Sequence, residues 1–171
     1  VTKLLSQNNE VVVETGAGQQ ANYPDTSYLD AGATISASFE ELIAGSDIVL
    51  KIHAPNMDKH FGRVETDLLK NGSCLIGLLQ PLSNKDLIET LRSKNITSFS
   101  LDSIPRIARA QSMDVLSSMS SLAGYKSAIM AANSLEKYFP MMMTAAGTYA
   151  PAKGLVLGAG VAGLQAIATS K

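Results

Sequence analysis

Tryptophan is absent from this chain, cysteine occurs once and histidine twice. That scarcity removes whole classes of chemistry. A single thiol, Cys74, excludes an internal disulfide and fits a reducing compartment; within "SCLIGLL" it reads as a small core residue. Histidines and cysteine are too few and too scattered to ligate a metal, and no Ser–His–Asp arrangement suggests itself. His60 stands in a polar loop and takes no role. The net charge of -1 comes without a basic block, which argues against nucleic acid. No apolar run reaches the roughly 20 residues of a membrane helix, and the N-terminus lacks a signal pattern, so a soluble chain is expected. Aromatics make up only 5% of the residues, so the core should be aliphatic. With 46% hydrophobic content in 171 residues there is enough material for it.

What is present is an alternation. β-Branched and aliphatic runs at Glu10–Glu14, Asp47–His53, Ser73–Leu79, Ile96–Asp102 and Gly154–Gly158 predict strands. The middle three are nearly continuous in apolar residues, as in parallel strands covered on both faces. Helical patterns lie between them: "SFEELIAG", "ETDLLKNG" and "SNKDLIETLRSKN", the last with a cap at Ser83 or Asn84 and with Leu87, Ile88 and Leu91 on one side. The class is therefore α/β, a doubly wound, Rossmann-like parallel sheet. From Ser112 a proline-free stretch predicts one helix to about Phe139, capped by Ser112, with Asp114 at its positive end. Gly124 inside it costs about 1 kcal/mol against alanine and implies close approach of another backbone. The division expected is a first α/β domain over 1–111, a linking helix over 112–139, and the start of a second domain over 140–171. Val1 opens as if midway through an amphipathic helix and Lys171 falls about two turns into another, so a piece of a larger protein is expected.

Two segments carry chemistry. "GLVLGAGVAG" places Gly158, Gly160 and Gly163 in G-x-G-x-x-G spacing between a strand-like run and a helix. The first glycine makes the tight turn, the second admits a pyrophosphate, the third lets helix and strand pack, and the helix N-terminus receives the negative charge. The acidic residue that would bind a ribose, about 20 residues further on, would lie past Lys171, so NAD and NADP are not distinguished locally. "IPRIARAQSMD" gathers Arg106, Arg109, Gln111 and Asp114 after the C-terminal end of a strand, where open α/β sheets bind ligands. Such donors and acceptors suit a carboxamide and a ribose. A solvated loop leading into a capped helix is the other reading, and from the residues alone both stand. Lys51 near a strand end suggests an anion contact, and His53 a satisfied strand-end histidine. Gly16 and Gly18 in "VVVETGAGQQ" read as a turn first and a nucleotide loop second. "FPMMMTAAG" reads as a core joining two domains rather than a contact surface.

Taken together, "VVVETGAG", "DIVLKIHAPN", "PRIARAQSMDVLSSMSSLAGYKSAIMAA", "MMMTAAGTYAPAK" and "LVLGAGVAGLQAIATSK" resemble the NAD(H)-binding component of the proton-translocating nicotinamide nucleotide transhydrogenases, relatives of alanine dehydrogenase. The resemblance runs from about Val11 to Lys171 and is most specific in the arginine–glutamine–aspartate loop. It implies two α/β domains with NAD(H) between them, this chain supplying most of the first, the linking helix and the opening of the second. It implies that Arg106 and Asp114 orient the nicotinamide, with Ser117 close by and Tyr125 near the site. Gln111 would reach the NADP(H) of a partner domain, and Gly158, Gly160, Val161 and Gly163 would form the dinucleotide loop. Hydride transfer then needs proximity and orientation but no general acid. The implied partners are the NADP(H)-binding domain, a membrane proton-channel domain and a second copy in a homodimer. The implied location is peripheral to a membrane, on the bacterial cytoplasmic or mitochondrial matrix side. Alanine dehydrogenase itself works with a lysine and a histidine; Lys51 matches the first in this reading, but Gln80 stands in place of the second. A catalytically silent nucleotide-binding module is the further alternative.

Overall fold

The computed structural model describes residues 1–56 and 64–171; His60 lies outside the described residues. The chain forms two compact units, Val1–Ser103 and Ile104–Lys171.

The first unit begins with α1 (Thr2–Leu5), β1 (Val12–Glu14), α2 (Asp25–Asp30), β2 (Thr34–Ser36) and α3 (Phe39–Gly45). β3 (Ile48–His53), α4 (Glu65–Leu68), β4 (Cys74–Leu78), α5 (Lys85–Ser93) and β5 (Thr97–Ser100) follow. All strand pairs in this unit are parallel: β1 with β2, and β3–β4–β5 in sequential order. β2 was not apparent in the sequence, being three residues of "TIS" with no apolar run to mark it.

Local rules account for several ends. Ser38 caps α3 by accepting from the Glu41 N–H at 3.2 Å. Asn84 does occupy the N-cap of α5, yet its amide turns back to donate to the Leu79 carbonyl at 3.0 Å instead of capping. Leu91 of α5 is fully buried, and Leu87 and Ile88 pack beside it. The core collects Ile43, Val49, Leu69, Leu75, Leu79, Leu91 and Ile96 under α3 and α5. It is aliphatic, as the composition required.

Only one face of β3–β4–β5 is covered. Val49, Leu75 and Gly77 point into the core, while Leu50 (60% exposed) and Phe99 (56%) stand open, aligned in register on either side of Ile76. The expectation of strands covered on both faces is thus corrected, and Cys74, on the other face from Leu75, is half-buried rather than core. A bulge in β3 between Leu50 and His53 brings its backbone against β4: a Cβ on Gly77 would sit 2.4 Å from the Lys51 carbonyl oxygen. Glycine there is a packing requirement. "ETGAG" forms a turn, as read, locked by Asp25, which accepts from Thr15 Oγ1 at 2.7 Å and from the Gly16 N–H at 2.8 Å.

The second unit holds a 3-10 helix (Ala108–Met113), α6 (Val115–Ser134), a hairpin of β6 (Met142–Thr144) and β7 (Gly147–Tyr149), and α7 (Val161–Ser170). Two sequence expectations change. The long helix starts after Asp114, which is itself the N-cap in place of Ser112, and stops at Ser134 because Leu135 turns to extended geometry. Ser112 is instead consumed by the 3-10 turn. Gly154–Gly158 forms no strand, and Leu155 and Leu157 are 85% and 89% exposed. A strand needs a neighbour to bond, and none of the described residues supplies one. The methionine run also departs from the core reading: it forms β6, with Met143 78% exposed.

Candidate functional site

α6 and α7 pack together through small residues. A Cβ on Gly124 would lie 2.2 Å from the Ala162 carbonyl oxygen and 3.0 Å from Gln165 Cβ. The mid-helix glycine therefore marks a close backbone approach, as expected, and its partner is the opening turn of α7. One turn earlier, Ser121 Oγ meets Gln165 Oε1 at 3.3 Å. The crossing fixes the N-terminal half of α6 against the glycine-rich loop.

That loop has the geometry the spacing implies. Gly158 takes φ +114°, a conformation L side chains rarely adopt. A Cβ on Gly163 would fall 2.0 Å from the Gly158 carbonyl oxygen, so loop and helix are in direct contact there. Gly160 is the opposite case: no described atom lies within 4 Å of where its Cβ would be. The middle glycine faces open space, which is what a pyrophosphate approaching the backbone needs. Gly160 is also the N-cap of α7, whose first turn carries no acidic residue to repel an anion.

Above the loop is a cavity of about 330 Å³ lined by Arg106, Ser117, Ser120 and the segment Leu157–Gly163. The structure thus brings together Arg106, Ser117, Gly158, Gly160, Val161 and Gly163 from the residues singled out in the sequence. Asp114 stands immediately behind this wall. Its carboxylate accepts from the Ser117 N–H at 2.9 Å and from Ser117 Oγ at 2.7 Å, capping α6 and fixing the serine hydroxyl. Those two hydrogen bonds from Ser117, and to a smaller extent the Arg106 guanidinium, hold the Asp114 carboxyl below the usual carboxylate range. Gln111, Arg109 and Tyr125 do not line the cavity; all three are exposed. Gln111 is attached to the site by its backbone, its carbonyl accepting from the Asp114 N–H at 3.2 Å. Ser120 went unrecognised in the sequence. The available signal was its spacing, three residues after Ser117 and four before Gly124, on one helix face.

A second cavity, about 550 Å³, lies against the hairpin between Leu135, Glu136, Lys137, Tyr138, Tyr149 and Ala150. It has no glycine loop or helix N-terminus. Among the described residues no group of His, Cys, Asp and Glu converges to hold a metal ion, and no helix is long and apolar enough to cross a membrane.

In the first unit, Lys51 is committed. Its Nζ lies 2.5 Å from Glu65 Oε2 and 5.9 Å from the centre of the Phe39 ring. His53 ends β3, exposed and in register with Leu78. Gln80, left-handed at φ +49°, joins Leu79 in donating backbone N–H groups to Asp102 Oδ1, at 3.4 Å and 3.0 Å. Ser100 Oγ donates to the same oxygen at 2.6 Å. Burial raises the Asp102 carboxyl, but these bonds together outweigh it and the net direction is down.

Parallel strand pairing, interleaved helices and a glycine-rich loop that opens a helix make this a Rossmann-like α/β chain. It belongs to the alanine dehydrogenase/PNT family. Residues 1–123 match the family's N-terminal domain and residues 127–171 its C-terminal domain. An NAD(P) transhydrogenase subunit alpha of Rhodospirillum rubrum is 47% identical over all of this chain, which spans 44% of that protein. The crystal structure of the transhydrogenase from Sinorhizobium meliloti superposes with a TM-score of 0.90 at 43% identity, covering 99% of this chain and 48% of its own. An L-alanine dehydrogenase structure matches with a TM-score of 0.80 at 25% identity, covering 99% and 45%. The chain therefore spans less than half the length of these relatives.

Proposed function

We propose that this chain is the NAD(H)-binding part of a proton-translocating transhydrogenase, in which hydride passes between NAD(H) held here and NADP(H) held by a partner domain. The observation that carries the reading is the cavity over Gly158–Gly163, closed by Arg106 and Ser117. Its open middle glycine, its unopposed helix N-terminus and its guanidinium all suit a dinucleotide pyrophosphate. The higher identity to transhydrogenase than to alanine dehydrogenase favours the substrate pair.

When bound, the two nicotinamides supply the chemistry, hydride crossing from one ring to the other with both electrons and no proton drawn from the protein. This chain's residues supply binding and aim. The N-terminus of α7 and Arg106 hold the anionic bridge. Asp114 keeps the Ser117 hydroxyl in one orientation and retains lone pairs for a carboxamide N–H. Arg106 and Asp114 orient the nicotinamide, and exposed Gln111 reaches toward the NADP(H) of the partner. Tyr125 lies near the site, and α6 serves as the link between two domains of the complete protein. In this reading the chain docks on a membrane proton-channel domain and works as a homodimer.

The test mixes the intact protein with an NADP(H)-binding partner domain and follows reduction of an NAD analogue by NADPH, with alanine and NAD in a parallel reaction. Analogue reduction without alanine oxidation supports the proposal; alanine oxidation alone, or silence in both, refutes it. Gln111→Asn should leave NAD(H) binding intact and lower transfer to NADP(H). Equal loss of both would remove the bridging role.

A further inference from the structure

We propose that Ser120 is a hydroxyl ligand of the dinucleotide pyrophosphate, facing the glycine-rich loop from α6. This rests on the dinucleotide reading proposed above and extends it to a residue outside the arginine–glutamine–aspartate loop. Three observations lead to it. Ser120 lines the same cavity as Gly158, Gly160 and the first turn of α7, so its hydroxyl and the N-terminal amides of α7 border one space. The contact of Gly124 with Ala162 holds the turn of α6 that carries Ser120 against the start of α7. The two serines on this wall also differ in what they have left to give. Ser117 spends its hydroxyl proton on Asp114 at 2.7 Å, whereas Ser120 makes no side-chain hydrogen bond among the described residues.

A ligand anion between α6 and α7 needs donors from both sides. The amides of α7 and the Arg106 guanidinium are two sources, and the uncommitted Ser120 hydroxyl is the third. Ser117 can only accept while it serves Asp114. The portion of the ligand that accepts without donating is the pyrophosphate, which assigns Ser120 to that part and not to the adenosine.

The experiment titrates the intact protein and its Ser120→Ala, Ser120→Thr, Ser118→Ala and Gly160→Ala variants with NADH, ADP-ribose and adenosine, alongside urea unfolding. Losing a hydrogen bond to a charged group should weaken binding about ten-fold. The expected result is that Ser120→Ala weakens NADH and ADP-ribose alike, spares adenosine and keeps the unfolding midpoint. Threonine, which retains the hydroxyl, should restore binding. Ser118, whose hydroxyl serves the Asp114 carbonyl, should be replaceable without effect. Wild-type affinity in Ser120→Ala, with Gly160→Ala weakened, would overturn the role of Ser120 and leave the dinucleotide site standing. Equal weakening for adenosine would overturn the assignment to the pyrophosphate. Failure of the unaltered protein to bind NADH or ADP-ribose would remove the dinucleotide reading itself.

Discussion

Gly124→Ala sets two opposed effects against each other, and the structure decides between them. Alanine in place of glycine inside a helix gains about 1 kcal/mol of propensity. At Gly124 the new methyl would sit 2.2 Å from the Ala162 carbonyl oxygen and 2.9 Å from its carbon. Both obstructing atoms are backbone, so no side chain can swing aside and α7 itself must back away. Overpacking of this kind costs about 1–3 kcal/mol, and rigid neighbours place it toward the upper end, leaving a net loss of about 1–2 kcal/mol after the propensity gain. Gly45→Ala, at the end of α3, is the matched comparison. No described atom lies within 4 Å of its Cβ, so the backbone gain of about 0.5 kcal/mol stands alone. Urea unfolding followed by far-ultraviolet circular dichroism should move the two midpoints in opposite directions, down by about 0.5–1 M for Gly124→Ala and slightly up for Gly45→Ala. NADH affinity should also fall in Gly124→Ala, because the crossing sets the glycine-rich loop against Ser117 and Ser120. If Gly124→Ala were stabilising like Gly45→Ala, the helices would not meet at that residue, and the geometry of the site would fail with it.

Gly160→Ala should keep the urea midpoint, since its methyl meets no protein atom, while weakening NADH at least ten-fold by filling the space the ligand needs; a parallel loss of stability and affinity would refute this. Leu75→Ala removes a fully buried side chain at the centre of β4 and should cost about 2–5 kcal/mol, read from the same urea curves. Asp114 is held below the ordinary carboxylate range in the folded state, so the stability it contributes is present above about pH 4 and drains away as pH falls through its lowered pKa. Asp114→Asn keeps a capping oxygen without the charge, so its unfolding midpoint should fall less than the unaltered protein's between about pH 4 and pH 2, as followed by urea titration across that range.

Strands with long apolar runs were legible in the sequence because burial writes itself as continuous Val, Ile and Leu: β3 and β4 fell within their predicted ranges. β2 was not, because a three-residue strand carries too little pattern. Gly154–Gly158 misled for the complementary reason. It has a strand's composition, but pairing is a property of neighbours, and composition cannot supply one. At the site, the glycine spacing encoded backbone constraints directly, so the turn at Gly158 and the contact at Gly163 could be anticipated. The cap was misread by two residues, since Ser112 and Asp114 are both good N-caps and only the preceding 3-10 turn decides between them. Ser120 was hidden because one serine among several on α6 gains meaning only when α7 is placed beside it.

Hydride transfer to a second nicotinamide and oxidation of an amino acid differ in which groups must remain free to act. Amino-acid oxidation needs a group that accepts and returns a proton near the substrate. The lysine that could answer, Lys51, has its charge engaged by Glu65 at 2.5 Å and lies over Phe39. The second position is Gln80, whose side chain does not titrate and whose backbone serves Asp102. Neither is a poised acid or base. Transfer between two nicotinamides makes no such demand, because the rings exchange hydride between themselves and require only to be held in register. A guanidinium, a serine fixed by its capping aspartate, and helix amides over an open glycine hold and orient, and none of them transfers a proton. Those are the groups this chain collects around its cavity.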